Sequence, residues 1–171
     1  MNYELTEKGK ELAITQALLK EALYYDEENG MFYNRMRRGS AKAGNAAGTK
    51  DKDGYCSIVL NGNQCKAHRL AWLYVYGFWP IGLIDHINGD PADNRISNLR
   101  ISNKIHNGQN QRKANKGSFT GLLGAYKDGN RFHSKICVNK KTINIGYFAT
   151  AQEAHEAYLK AKRELHPACT I

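Results

Sequence analysis

Asp85-His86, then Asn98-Leu99-Arg100, then Asn107 form the set of side chains with the clearest chemical use in this chain. A carboxylate and a carboxamide oxygen are hard donors suited to Mg²⁺ or Mn²⁺. Such an ion keeps few protein ligands and completes its shell with water and phosphate. Asp85 and Asn107 are such a pair, enough for one divalent ion per site. A neutral imidazole beside them can take a proton from an attacking water near pH 7, and His86 supplies that ring. A divalent ion on a phosphate oxygen offsets the charge that builds in the transition state and steadies the leaving oxygen. Together these are the parts of a phosphodiester hydrolase.

Local elements must bring these groups together. Leu83–Ile87 is β-prone and predicts a short strand. Asn88-Gly89-Asp90-Pro91-Ala92-Asp93-Asn94 is a dense turn signal. Leu99-Arg100-Ile101 supplies the returning strand, and Asn103 to about Arg112 a helix laid across the hairpin. Asp85 and His86 then sit on a strand, and Asn107 on the helix of a ββα unit. Asn94, Asn103 and Asn110 read as loop, cap or DNA-contact residues.

This pattern resembles the signature of HNH nucleases, ββα-metal enzymes common among phage homing endonucleases. The resemblance implies His86 as general base and Asp85 as the first metal ligand. It makes Asn98 the member of the catalytic set that ties the hairpin loop, and Asn107 the last ligand. Many members carry His at that last place, so His106 stays open as an alternative. Gly54-Tyr55, Ala67-His68-Arg69-Leu70-Ala71-Trp72 and Trp79-Pro80 resemble the lead-in of phage HNH proteins, extending the likeness from roughly Leu18 to Asn110. His68 has a structural or DNA-contact role in this reading, with direct catalysis the alternative.

Composition agrees with an anionic partner. Lys plus Arg number 25 against 16 Asp plus Glu, a net charge of +9, and 42% of residues are apolar, enough for a packed core. No acidic residue lies between Asn94 and Lys127, while Arg95, Arg100, Lys104, Arg112, Lys113, Lys116 and Lys127 are basic. Cys56, Cys65, Cys137 and Cys169 are scattered without Cys-x-x-Cys spacing, which predicts reduced thiols, no structural zinc and no disulfide framework. The start, Met1-Asn2-Tyr3-Glu4, lacks the pattern of a signal peptide, and no apolar run reaches membrane-spanning length. The expected location is cytoplasmic, as a phage protein in the host cell.

Upstream, Leu12 to Leu23 predicts a helix whose preceding charged residues fray. Asn29-Gly30 between aromatic arms predicts a two-residue hairpin turn. Arg35 to Gly48 is a basic, Gly-bearing loop in which Arg37 and Arg38 either embrace a phosphate backbone or sit on a flexible surface. Tyr55–Leu60 is a strand, Gln64–Ala67 its return, and His68–Tyr76 a largely buried helix stopped by Gly77. Gln111–Ser118 is a polar, basic linker.

Past the linker the pattern becomes short strands and one helix. Strands are expected at Gly121–Tyr126, Arg131–Val138 and Thr142–Phe148, with Phe132, Ser134, Ile136, Val138, Ile143 and Ile145 facing inward. Thr150-Ala151-Gln152-Glu153 is a capping box. It opens a helix with Ala154, Ala157, Tyr158, Ala161 and Leu165 on one stripe. Gly124-Ala125-Tyr126, Phe132 to Ile136, Ile143-Asn144-Ile145-Gly146-Tyr147-Phe148 and Glu153-Ala154 resemble the plant ethylene-response-factor type of DNA-binding domain. That resemblance implies that Tyr126, Lys135, Asn144, His133 and Thr142 reach the major groove. Several Arg and Trp residues of the plant domains are absent, so the target sequence does not transfer.

The expected architecture is α+β. An HNH nuclease domain spans 1–112, with its ββα core about 83–112. A linker covers 113–118, and a three-stranded antiparallel sheet plus one helix covers 119–171. The expected function is a metal-dependent, site-selective endonuclease on double-stranded DNA, a monomer that nicks or cuts both strands. The expected DNA contacts are Arg37, Arg38, His68, Arg69, Arg100, Arg112 and Lys113, besides the sheet residues. The alternative is a DNA-binding regulator with a decayed nuclease.

Overall fold

The computed structural model describes residues 13–171. Leu12, where the expected first helix begins, and the charged residues before it lie outside the described residues. The described chain is mixed α and β, with small antiparallel sheets and four α-helices. It divides into two compact units, one ending at Asn103 and the other running Lys104–Ile171.

In the first unit, α1 (Gln16–Ala22) starts later than periodicity predicts because Thr15 caps it, its hydroxyl accepting from Leu18 N at 3.2 Å. Leu23 turns extended and opens β1 (Leu23–Asp26), which pairs with β2 (Met31–Asn34). The expected two-residue turn is a longer loop, since Asp26 pairs with Met31. The Asp26 carboxylate accepts from Glu28 N at 3.0 Å and Asn29 Nδ2 at 2.6 Å, and Gly30 N bonds to Asp26 O at 2.9 Å. An aspartate at the strand end thus gathers the chain before Asn29-Gly30 can turn it alone.

Strands β3 (Thr49–Lys50), β4 (Cys56–Leu60) and β5 (Asn63–Lys66) form an antiparallel sheet in that order. Asn61 and Gly62 join β4 to β5 at φ 46° and 74°, a mirror-image turn that matches strand twist. Helix α2 (Ala67–Tyr76) follows at once and stops at Gly77, φ 82°. Then come β6 (Leu83–His86), a 3-10 turn (Ile96–Asn98) and β7 (Leu99–Ser102). Ile84 and Leu99 seat this hairpin on a core that includes Leu19, Phe32, Ile58 and Leu70. Burying each such side chain stabilises by about 2 kcal/mol.

The second unit opens with α3 (Lys104–Gln109), shorter than the expected helix. Its sheet has the order β10-β9-β8, from β8 (Ala125–Asp128), β9 (Arg131–Val138) and β10 (Lys141–Phe148). The first strand begins later than expected because Gly121 (φ 66°) and Gly124 (φ 75°) turn the chain. The Thr120 hydroxyl binds that turn, donating to Ala125 O at 2.8 Å. Helix α4 (Ala151–Leu165) carries the capping box that Thr150 and Glu153 predict.

Ser134 and Ile136 are buried between sheet and helix, and Lys135 is exposed, as alternation predicts. Two expectations of this unit are corrected. A bulge places Ile145 outside the ladder, since Asn144 pairs with Lys135 and Gly146 with Ser134. Ile143 keeps its expected place opposite the buried Ile136, although it is 42% exposed on this edge strand, and only Ile145 is skipped by the register. On the helix, Lys162 is fully buried while Leu165 is exposed. The Lys162 ammonium donates to Gln111 O and lies over the Tyr158 ring, which satisfies a charge the stripe would otherwise exclude.

Candidate functional site

The β6–β7 hairpin sorts its side chains by alternation. Asp85 pairs with Arg100 across the ladder, and His86 with Leu99. The Arg100 guanidinium donates to Asp85 Oδ2 through Nε at 2.9 Å and Nη2 at 2.7 Å, a charge-assisted pair on a half-buried face. Arg100, expected to meet DNA, is thus engaged with the carboxylate expected to meet a metal ion.

His86 points the other way and is 5% exposed. Its ring stands 5.1 Å edge-on from His68 and 5.9 Å from Tyr55, and those two rings are 5.7 Å apart. Burial lowers the His86 pKa, against an opposing pull from its hydrogen bond to Asn94 and from Asp85, Asp90 and Asp93. Burial pushes His68 down further, to about 3, assisted by His86, Arg69 and Lys66. Burial thus disfavours the charged form of both imidazoles, and the neutral ring is the form a general base needs.

The loop between the strands is knotted by Asn98, which is 7% exposed. Its Oδ1 accepts from Asn88 N at 2.9 Å, and its Nδ2 donates to Asn88 Oδ1 at 3.0 Å and Asp93 O at 2.8 Å. Its backbone oxygen accepts from Ile87 N at 2.8 Å. Asn94, a turn residue by sequence, is buried with Oδ1 at 3.2 Å from His86 Nε2. Asp93 holds Arg95 at 2.6 Å, and this partner lowers the carboxyl pKa.

The remaining expected contacts of this unit are tied within it. Arg69 donates to Gly82 O at 2.9 Å and Pro80 O at 3.3 Å, fastening α2 to the chain that leads into β6. Arg37 donates to Gly39 O at 3.3 Å and Arg38 to Asn34 Oδ1 at 3.2 Å, which lace the basic loop. Arg38 is half-buried, and burial lowers its pKa.

In the second unit, Asn107 lies on α3 with its Oδ1 buried and without a hydrogen-bond partner. A buried carboxamide oxygen in that state is costly unless something accepts its lone pairs. His106 is exposed on the same helix. The chain past α3 is strapped by the C-terminal segment. Arg112 Nη2 donates to Thr170 O at 2.9 Å, and the Thr170 hydroxyl donates to Asn110 Oδ1 at 2.6 Å. Lys113 is exposed.

The outer face of the second sheet gathers Tyr126, His133, Lys135 and Asn144. His133 Nε2 is 2.9 Å from Asn144 Oδ1, and the Lys135 ammonium lies 5.3 Å over the Tyr126 ring. The bulge adds Tyr147, which stacks on His133 at 4.8 Å and 17°. Sequence reasoning missed Tyr147, Tyr55 and Asn94. Alternation alone puts Tyr147 inward, and the other two act through partners remote in sequence.

Each donor taken singly is of the hard type that divalent ions take: the Asp85 carboxylate of the first unit, whose Oδ2 the Arg100 guanidinium occupies, and Asn107 Oδ1 of the second unit, buried without a hydrogen-bond partner. Among the described residues no group of three His, Cys, Asp or Glu is placed to hold a metal, no pair of cysteines is bonded, and no helix is long and apolar enough to cross a membrane. A family model described as HNH endonuclease matches residues 65–109, a span that takes in Asp85, His86, Asn98 and Asn107. No curated protein and no solved structure matches the chain. The match supports endonuclease activity on nucleic acid.

Proposed function

We propose, taking the HNH endonuclease match as premise, that this chain is a metal-dependent, site-selective endonuclease of duplex DNA, of the homing type. The observation that carries the reading is a buried His86 one residue from a carboxylate, inside the matched segment. His86 takes the proton of the water that attacks phosphorus, as one P–O bond forms and the bond to the leaving sugar oxygen breaks. Burial disfavours the charged ring, and Asn98 holds the loop that follows it. Asp85 and Asn107 are the proposed ligands of one Mg²⁺ or Mn²⁺. When bound, the ion supplies charge neutralisation at the scissile phosphate. Arg and Lys contacts to phosphate position the duplex. The outer sheet face of the second unit supplies sequence preference, since a sheet fits the major groove.

The test incubates supercoiled and linear duplex DNA with the full chain and Mg²⁺, with and without chelator. Cutting that chelator stops is expected. His86→Ala should lower cutting by at least about 100-fold while duplex binding in a gel-shift assay persists. A His86→Ala protein that cuts normally rejects the assignment. A wild type that binds but never cuts favours the regulator with a decayed nuclease.

A further inference from the structure

One buried side chain of the β6–β7 loop makes a bond that fixes a proton. Asn94 is 3% exposed. Its Nδ2 donates to Ala92 O at 3.2 Å, so the other end of the carboxamide, Oδ1, is the atom that meets His86 Nε2 at 3.2 Å. An amide oxygen only accepts. His86 Nε2 must therefore carry the hydrogen, and Nδ1 the lone pair.

Asn94 is itself held by residues that precede the matched span 65–109. The buried Tyr25 of β1 donates its hydroxyl to Asn94 O at 2.7 Å. Gly30, which closes the β1–β2 loop at φ 72°, lies against the same backbone. A Cβ there would stand 2.3 Å from Arg95 N and 2.6 Å from the Asn94 carbonyl carbon. Only glycine permits that approach at that φ. The first hairpin and the β6–β7 loop are thus locked at Asn94 from two sides.

We infer that Asn94 is the positioning residue for the proposed base, setting His86 in the Nε2-protonated tautomer, and that the first hairpin holds Asn94 in place through Tyr25 and Gly30. A base whose second nitrogen is hydrogen-bonded keeps both tautomer and ring orientation, so the lone pair need not be found by rotation. The inference rests on His86 being the base, but the tautomer exists whether or not the protein cuts.

The test is nuclear magnetic resonance of the ¹⁵N-labelled full chain without DNA, at about pH 8, above the ordinary imidazole range. His86 ring signals are identified by their loss in His86→Gln. The wild type should show Nε2 protonated and Nδ1 unprotonated. Asn94→Ala should mix the tautomers. Asn94→Asp, whose carboxylate still accepts, should keep the Nε2–H form, and Tyr25→Phe should mix them partly. In cutting assays Asn94→Ala should lower kcat by about 10- to 100-fold with KM for duplex little changed, and Asn94→Asp should recover part of the loss. Should Asn94→Ala not fold, Tyr25→Phe and Asn94→Asp decide by the same signals. An Nδ1–H wild type, or a tautomer untouched by Asn94→Ala or Tyr25→Phe, overturns the inference. Normal cutting by His86→Ala with the tautomer result intact instead overturns the base reading alone.

Discussion

His68 is the imidazole whose burial has the largest consequence for stability. Its Nδ1 is buried without a partner, and burial, with nearby His86, Arg69 and Lys66, brings its pKa to about 3 from an ordinary 6.5. The folded protein resists protonating this ring, whereas the unfolded chain accepts the proton readily. Between about 3 and 6.5 the unfolded state therefore binds more protons, and stability rises with pH. Above 6.5 both states are neutral and the term is flat. His86 shifts in the same direction and adds to the slope. Thermal melts from neutral pH into acid should show Tm falling once pH drops below the ordinary imidazole range. His68→Gln, which cannot titrate, should flatten that fall by about one proton's worth of slope. An unchanged slope would mean His68 is already protonated or open to solvent in the folded state. The residue scale also explains what sequence could not reveal. Asp85, His86 and Asn98 are close in sequence and legible from their types. Asn94 looks like any turn asparagine, because its meaning depends on Tyr25, far upstream.

At the scale of elements, the second unit depends on one close approach. Gly124 precedes β8 at φ 75°, and a Cβ on it would stand 2.0 Å from the Tyr158 ring of α4. Backbone and ring cannot both stay if a methyl group enters, and the left-handed φ adds strain for any other residue. Gly124→Ala should destabilise the protein by about 2–4 kcal/mol, read by denaturant unfolding with a probe in the second unit. A loss below about 0.5 kcal/mol would show that sheet and helix do not pack this closely. Elements were legible where a local rule dominates. Asn61-Gly62 needs positive φ at both places, and Thr150/Glu153 make a reciprocal cap. They were not legible where the partner decides. Ile143 and Ile145 alternate in sequence as an inward pair, but the cross-strand register skips Ile145 and turns Tyr147 outward. Likewise Gly121 to Tyr126 reads as a strand, yet Thr120 and two left-handed glycines turn its first half.

For the whole molecule, the proposed reading assigns the hold on any duplex to the surplus of +9 and the preference among duplexes to single outward side chains. The two contributions separate by experiment. Each Lys or Arg that neutralises a phosphate changes the slope of log K against log salt by about one, uniformly over sequences. A residue that reads a base edge changes the ranking of sites by about 1–3 kcal/mol and leaves affinity for arbitrary duplex nearly intact. Lys135 is exposed at mid-strand on the outer face, its ammonium 5.3 Å above the Tyr126 ring and beside the His133–Asn144 pair. Flanking side chains restrict its reach, which suits base reading better than loose phosphate contact. Lys135→Ala should therefore broaden the map of cleavage ends on genomic DNA while Mg²⁺-dependent cutting persists, with the salt slope for arbitrary duplex changed by less than about one. A slope that drops by a full unit with an unaltered map would make Lys135 a phosphate contact. An unaltered map with an unaltered slope would remove it from the interface.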